Sequence, residues 1–261
     1  MTSHAITVNQ LSKRFAGRRG HPFALHESLE RIARSPFSFK KAAAQPSEPG
    51  WALRDISFQI PTGECVGIIG HNGAGKSVLL RILARVTCPT QGDAELRGRV
   101  AAVLDVGTGF KRELTGRENI FFQGAILGMR KREIAKKFDA IVAFSGLEEF
   151  IDLPIKGYSN GMQVRLAFAV AAHLEPEILL LDEVLAVADA EFHRACVNRL
   201  NALAREGRTI LLIAHDLEMI RELCPRALWL EHGRVESDGA AAAVIAQYQT
   251  RVVEPVLAHK S

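Results

Sequence analysis

The stretch Gly70-His71-Asn72-Gly73-Ala74-Gly75-Lys76-Ser77 constrains this chain more than any other, because it fits G-x-x-x-x-G-K-[ST] between flanks that give the pattern mechanical meaning. Before it, Cys65-Val66-Gly67-Ile68-Ile69 is a short apolar run of buried-strand type, and after it Val78-Leu79-Leu80-Arg81-Ile82-Leu83 opens a helix. In that order, the glycines let backbone N–H groups turn inward around a polyphosphate, and the helix adds its unpaired amides and positive dipole end. The expected cradle runs from Gly70 to Val78, with Lys76 reaching the β- and γ-phosphates and the Ser77 hydroxyl holding Mg²⁺. A glycine turn with a surface lysine is the bland alternative, and the strand and helix on either side weigh against it. The type of nucleotide stays open at this point.

Size and charge bound the rest. A chain of 261 residues with 48% hydrophobic content can bury a sizeable interior, as one large α/β domain or as a core with a subdomain. The net charge of +4 is slight for 33 basic and 29 acidic residues, so no global field argues for nucleic acid. The short clusters Lys13-Arg14, Arg18-Arg19 and Arg130-Lys131-Arg132 read as solvated faces, or as groups usable beside an anionic membrane. Cys65, Cys88, Cys196 and Cys224 have no metal-ligand spacing and no C-x-x-C pair, so reduced thiols in a reducing compartment are expected. Met1 to Gln10 has no signal-peptide pattern, and the apolar run Leu166 to Ala172 is closed off by Arg165 and His173. A membrane role would therefore be exercised through another chain.

Along the chain, Ile6 to Phe15 suggests an edge strand and Leu53 to Ile60 another, separated by a long insertion at 17–50 with a short helix expected at Leu25 to Arg34. That insertion exceeds an ordinary connection and reads either as a functional loop or as an idle one. Gly92 to Val106 gives two short strands with a turn at Gly98. Thr115-Gly116-Arg117-Glu118 is a capping box, and Lys131 to Phe144 sets Ile134, Phe138, Ile141 and Val142 on one helical face, stopped by Gly146. A third helix is expected from Gln163 to Leu174. Residues 111–172 thus read as a helical subdomain inserted into an α/β core formed by 1–110 and 173–261. The core resumes with the apolar run Ile178 to Leu181 before Asp182-Glu183, a helix from Ala190 to Arg205, and a strand from Thr209 to Ala214 before His215. A hairpin at His232-Gly233 and a terminal helix from Ala240 to Arg251 close the chain.

Ligands of open α/β sheets bind beyond the carboxyl ends of strands, where Ser77, Asp182, Glu183 and His215 would all lie. Asp182 is the expected partner of Ser77 on Mg²⁺, Glu183 a candidate general base for water, and His215 a group able to hydrogen-bond the γ-phosphate and the attacking water. Alone, an Asp-Glu pair after a strand is more often a helix start, and a lone histidine more often a core residue. The glycine loop tips the balance towards chemistry.

Tyr158-Ser159-Asn160-Gly161-Met162-Gln163, before a helix and upstream of Asp182, resembles the signature of ABC-type ATPases, usually Leu-Ser-Gly-Gly-Gln. Without that resemblance, the same residues would pass for a simple helix cap. The resemblance covers nearly the whole chain, including a loop with Asp189 and the switch position at His215. It implies an α/β fold: a P-loop NTPase core of ABC type with an antiparallel β subdomain and an inserted helical subdomain. It also implies that Ser159, Asn160 and Gly161 of each subunit close on its twin's ATP. Gly109 to Ile120, Tyr158 to Met162 and Asp182-Glu183-Val184-Leu185-Ala186-Val187-Ala188-Asp189 narrow the likeness to ATPase subunits that export O-antigen, capsule and teichoic acid. That narrower likeness implies ATP with Mg²⁺, a homodimer at the cytoplasmic face of the inner membrane, and a separate integral membrane permease that carries the glycolipid or polysaccharide. A lipid or drug substrate would suit the same machine, and a soluble ATPase of DNA repair or translation is the rival of another class.

The chain departs from the general pattern in several places. Asn160 and Met162 replace a Gly and the Gln of the signature, as polysaccharide-type members commonly do. Asp105 stands where most ABC ATPases have a Mg²⁺-touching glutamine. Phe15 fits the place of the adenine-stacking aromatic, with Trp51 its rival, and either could be an ordinary core or surface ring. Few residues follow Arg251, so a form without a C-terminal carbohydrate-binding domain is expected.

Overall fold

The computed structural model describes residues 3–15, 50–104, 109–173, 176–182, 190–214 and 216–258. Two sheets organise them. A small antiparallel sheet has the order β2-β1-β4, built from β1 (His4–Arg14), β2 (Trp51–Pro61) and β4 (Gln91–Leu96). A six-stranded sheet has the order β5-β6-β7-β3-β8-β9. Its strands are β3 (Cys65–Ile69), β5 (Val100–Val103), β6 (Ile178–Asp182), β7 (Thr209–Ile213), β8 (Arg226–Glu231) and β9 (Arg234–Ala240). All neighbouring pairs are parallel except β8-β9, which form the hairpin expected around His232-Gly233.

β3, β6 and β7 are buried at every position, the mark of parallel strands covered on both faces. Alternation divides their side chains. Cys65, Ile69, Leu179, Leu181, Ile210 and Leu212 join one apolar cluster with α2 (Gly116–Ile126), α3 (Lys131–Ser145), α4 (Asn160–His173) and α5 (Ala190–Arg205). Val66, Ile68, Ile178, Leu180, Leu211 and Ile213 join the other, against the small sheet and α1 (Lys76–Leu83). Among the described residues, α6 (Leu217–Leu223) and α7 (Ala241–Ala258) complete the helices, and none is long and apolar enough to cross a membrane.

Several local signals act as the sequence suggests. Thr115 caps α2, its Oγ1 accepting from Glu118 N at 3.2 Å while the Glu118 carboxylate accepts from Thr115 N at 2.8 Å. Gly146 ends α3 in a left-handed conformation. Other expectations need correction. β1 is the middle strand of its sheet and not an edge: its polar residues face solvent from one side of a sheet buried on the other. The two short strands expected around Gly98 are present as β4 and β5, and the turn between them carries the chain from the small sheet into the large one. α4 begins at Asn160 instead of Gln163, since its polar first turn has no apolar periodicity to reveal it. α6, only seven residues long, is not anticipated either, although Met219, Ile220 and Leu223 bury one face of it and Asp216 caps it, accepting from Glu218 N at 2.9 Å. The insertion at 17–50, with its expected helix, lies outside the described residues except for Gly50.

Candidate nucleotide site

The glycine loop leaves β3 at Ile69 and closes on itself through Ala74 N, which donates to His71 O at 3.1 Å. Two glycines there do different work. Gly75, with φ of 108°, immediately precedes α1, and a Cβ on it would stand 2.7 Å from Ala52 O and 2.7 Å from Leu53 Cδ2. Gly73, with φ of 86°, has nothing within 4 Å of the place a Cβ would take. One glycine is required by the packing behind the loop, and the other leaves the front of the loop clear.

Lys76 begins α1 and is 6% exposed. Its ammonium turns back along the loop and donates to Gly70 O at 2.7 Å and His71 O at 3.1 Å. These bonds hold a cation within the loop at the N-terminal end of a helix whose first turn carries no acidic residue. Amide dipoles, the helix end and an ammonium are therefore concentrated where an anion gains most from them. Ser77 and Val78 are half-buried in the same turn, and Asn72 and Gly73 are exposed. Ala74 is fully buried, and its carbonyl accepts from Gly233 N at 3.0 Å, which ties the loop to the β8-β9 hairpin.

Strand register sets the second half of the site. Ile213 pairs with Ile68 on one side and with Asp182 on the other, so the three share one row across the sheet. At the usual spacing of neighbouring strands, Asp182 lies roughly 10 Å from Ile68 and at the same end of the sheet as the loop. α1, which follows the loop, packs on β6. Asp182 is 8% exposed, a carboxylate held at the rim of the core. Its oxygens and the Ser77 hydroxyl are hard donors of the kind Mg²⁺ takes. Glu183, Asp189, His215 and Asp105 lie outside the described residues.

Ser159, Asn160 and Gly161 stand at the start of α4, which packs against α2, α3 and α5, whereas α1 packs against β2, β4 and β6. Ser159 Oγ accepts from Met162 N at 3.2 Å, so the helix-cap reading of this residue holds. The preceding Tyr158 is anchored by its hydroxyl, which donates to Phe150 O at 2.6 Å. The two aromatic candidates are neighbours, because Trp51 pairs in register with Arg14. The Phe15 ring is 45% exposed with the Lys13 ammonium 5.1 Å from its centroid. The Trp51 ring is half-buried and flanked by the Arg14 and Arg54 guanidinium groups at 5.8 and 5.7 Å. It directly precedes Ala52, whose carbonyl backs Gly75. Sequence reasoning missed the close approach of the β8-β9 hairpin to the loop, since nothing local in His232-Gly233 reports a contact so distant along the chain.

Comparison with known proteins agrees with this geometry. The ABC transporter family matches over residues 53–186. The O-antigen export system ATP-binding protein RfbB of Myxococcus xanthus is 45% identical over 77% of this chain and 46% of its own length. The protein of the same name from Klebsiella pneumoniae is 43% identical over 76% of this chain and 80% of its own. The teichoic acids export ATP-binding protein TagH of Listeria innocua is 40% identical over 78% and 61%. The chain thus spans under half of the Myxococcus relative and most of the Klebsiella one. Among solved structures, an ATP-binding subunit of an ABC transporter superposes with a TM-score of 0.72 at 22% identity, over 94% of this chain and 93% of its own. A dimeric ATP-binding cassette bound to ADP and Pi gives 0.70 at 21%, over 90% and 98%. Those structures speak for the fold, and the sequence matches speak for kinship: the chain belongs to the ABC transporter family, with similarity to the ATP-binding proteins of O-antigen and teichoic acid export systems.

Proposed function

We propose that this chain binds and hydrolyses ATP as a subunit of an exporter of lipid-linked polysaccharide such as O-antigen. It works as a homodimer on a separate integral membrane permease, at the cytoplasmic face of the inner membrane. The observation that carries the reading is the buried Lys76 ammonium, held by Gly70 O and His71 O inside a loop whose front at Gly73 is open. The names of the relatives supply the substrate class.

In this reading the backbone from Gly70 to Val78 binds the phosphates, and Lys76 exchanges its carbonyl partners for phosphate oxygens. A charge-assisted bond to phosphate is stronger than one to a neutral carbonyl, so the exchange favours nucleotide binding. Mg²⁺, held by Ser77, Asp182 and Asp105, would offset charge developing on the phosphoryl oxygens. Glu183 takes a proton from the attacking water, and His215 orients that water. Phe15, or Trp51 beside it, stacks on adenine. Ser159, Asn160 and Gly161, together with Asp189, meet the nucleotide of the twin subunit and exclude water from it, which strengthens every charge interaction there.

Glu183→Gln tests the assignment. The variant should retain ATP, turn over at a small fraction of the parent rate and collect as a dimer on gel filtration. Turnover at the parental rate would remove Glu183 from its role, and full turnover by a chain shown to remain monomeric would sink the shared-site mechanism. Loss of surface polysaccharide on deletion of the chain tests the substrate class separately.

A further inference from the structure

The β8-β9 hairpin brings a second ligand set against the loop. His71, Glu231 and His232 each offer one ligand atom, and the three atoms lie within 4.8 Å of one another. Glu231 Oε1 is 3.6 Å from His71 Nε2 and 3.5 Å from His232 Nε2, and the two imidazole centroids are 5.1 Å apart. A tetrahedral ion with bonds of about 2.0–2.2 Å to nitrogen and oxygen has ligand-to-ligand edges of roughly 3.4 Å. The two edges that meet at Glu231 match such a shell, and the bound of 4.8 Å leaves the third corner within reach of it.

The outer contacts agree. His71 Nδ1 lies 2.7 Å from Asn72 O. A carbonyl can only accept, so Nδ1 carries a proton, and in the neutral imidazole Nε2 presents its lone pair. That lone pair is buried, has no hydrogen-bond partner among the described residues, and faces a carboxylate oxygen. At 3.6 Å the two atoms are beyond hydrogen-bond reach of each other, and the gap between them has the width a metal ion would fill. Glu231 is in turn oriented by Trp229 Nε1, which donates to its other oxygen at 3.1 Å. Metal-binding histidines and carboxylates are steered in this way by a carbonyl and by a neighbouring donor.

From this we infer that His71, Glu231 and His232 form a site for a divalent transition metal of the zinc class, distinct from the Mg²⁺ position at Ser77 and Asp182. Two imidazoles and one carboxylate select zinc over magnesium, which prefers all-oxygen shells. Because His71 belongs to the loop and the other two belong to the hairpin, the loaded metal cross-links them beside the existing Gly233–Ala74 hydrogen bond.

Zn²⁺ alone, titrated into the full chain without nucleotide and in excess Mg²⁺, is the direct probe. One equivalent should bind and raise the melting temperature. Both effects should weaken at least about tenfold in affinity in Glu231→Gln and in His232→Asn; His232 has a φ of 46°, a conformation asparagine accepts. Co²⁺ in the same site should show the visible absorption of a tetrahedral ion without a thiolate charge-transfer band, and Cys88→Ser should leave uptake unchanged. Equal Zn²⁺ affinity in the parent and both hairpin variants, no uptake by the parent, or loss of uptake in Cys88→Ser would each overturn the assignment. The measurement needs no ATP, so its failure is separate from any failure of the ATPase reading.

Discussion

Replacing each of the two loop glycines by alanine separates the packing behind the loop from the space in front of it. At Gly73 the new methyl meets nothing, and the cost is the backbone strain of φ 86° alone, about 2 kcal/mol within the usual 1–3 range. At Gly75 the strain of φ 108° is similar, but the methyl would also press on Ala52 O and Leu53 Cδ2, each 2.7 Å away. Overpacking of that kind adds about 1–3 kcal/mol, for a total of about 4. A domain near this size loses about 2–4 °C per kcal/mol, so Gly75→Ala should melt roughly 4–8 °C below Gly73→Ala. Nucleotide binding should show the opposite emphasis. Gly73→Ala places its methyl at the open front of the loop, so it should weaken ATP binding more than its modest instability implies. Scanning calorimetry without nucleotide, followed by titration with ATP at a temperature where both variants are folded, measures the two effects. Equal melting temperatures, or unimpaired binding by Gly73→Ala, would refute the division of labour.

Thr115→Ala removes the acceptor for Glu118 N and should cost about 1 kcal/mol, whereas Thr115→Ser should restore most of it; denaturant titration of the pair decides, and equal stability of the two would reject the cap. Burial at the end of α4 holds His173 below the ordinary histidine pKa, assisted by the positive charges of Arg199 and Lys137 and opposed by the bond to Ala169 O. The unfolded chain therefore takes up this proton first. The stabilising contribution is fully present above the unfolded value of about 6.5 and is lost as pH falls below it towards the folded value. His173→Gln should flatten that slope of stability against pH, and an unchanged slope would show that the titration lies elsewhere.

Motifs whose information is local were legible in the residues. The capping box at Thr115, the stop at Gly146, the buried strands at 65–69 and 178–182, and the glycine turn from Gly70 into α1 each depend on neighbours a few positions away, and backbone sterics or periodicity writes them directly into the sequence. The polar first turn of α4 is harder to see, because a helix start without an apolar stripe looks like a loop, and α6 because seven residues are too few for a helical period to stand out.

What the sequence alone determined is that a glycine-rich turn lies between a buried strand and a helix, and that apolar strands precede Asp182 and His215. Only tertiary structure decided that β7 would lie between β3 and β6, bringing Asp182 into the same row as Ile68. Tertiary structure also folded Lys76 back onto Gly70 and His71, made β1 a central strand, and carried Glu231 and His232 to His71. The reason is physical: sheet order and long-range pairing are settled by how two apolar faces are buried together, and no short stretch of chain records which distant stretch will cover it.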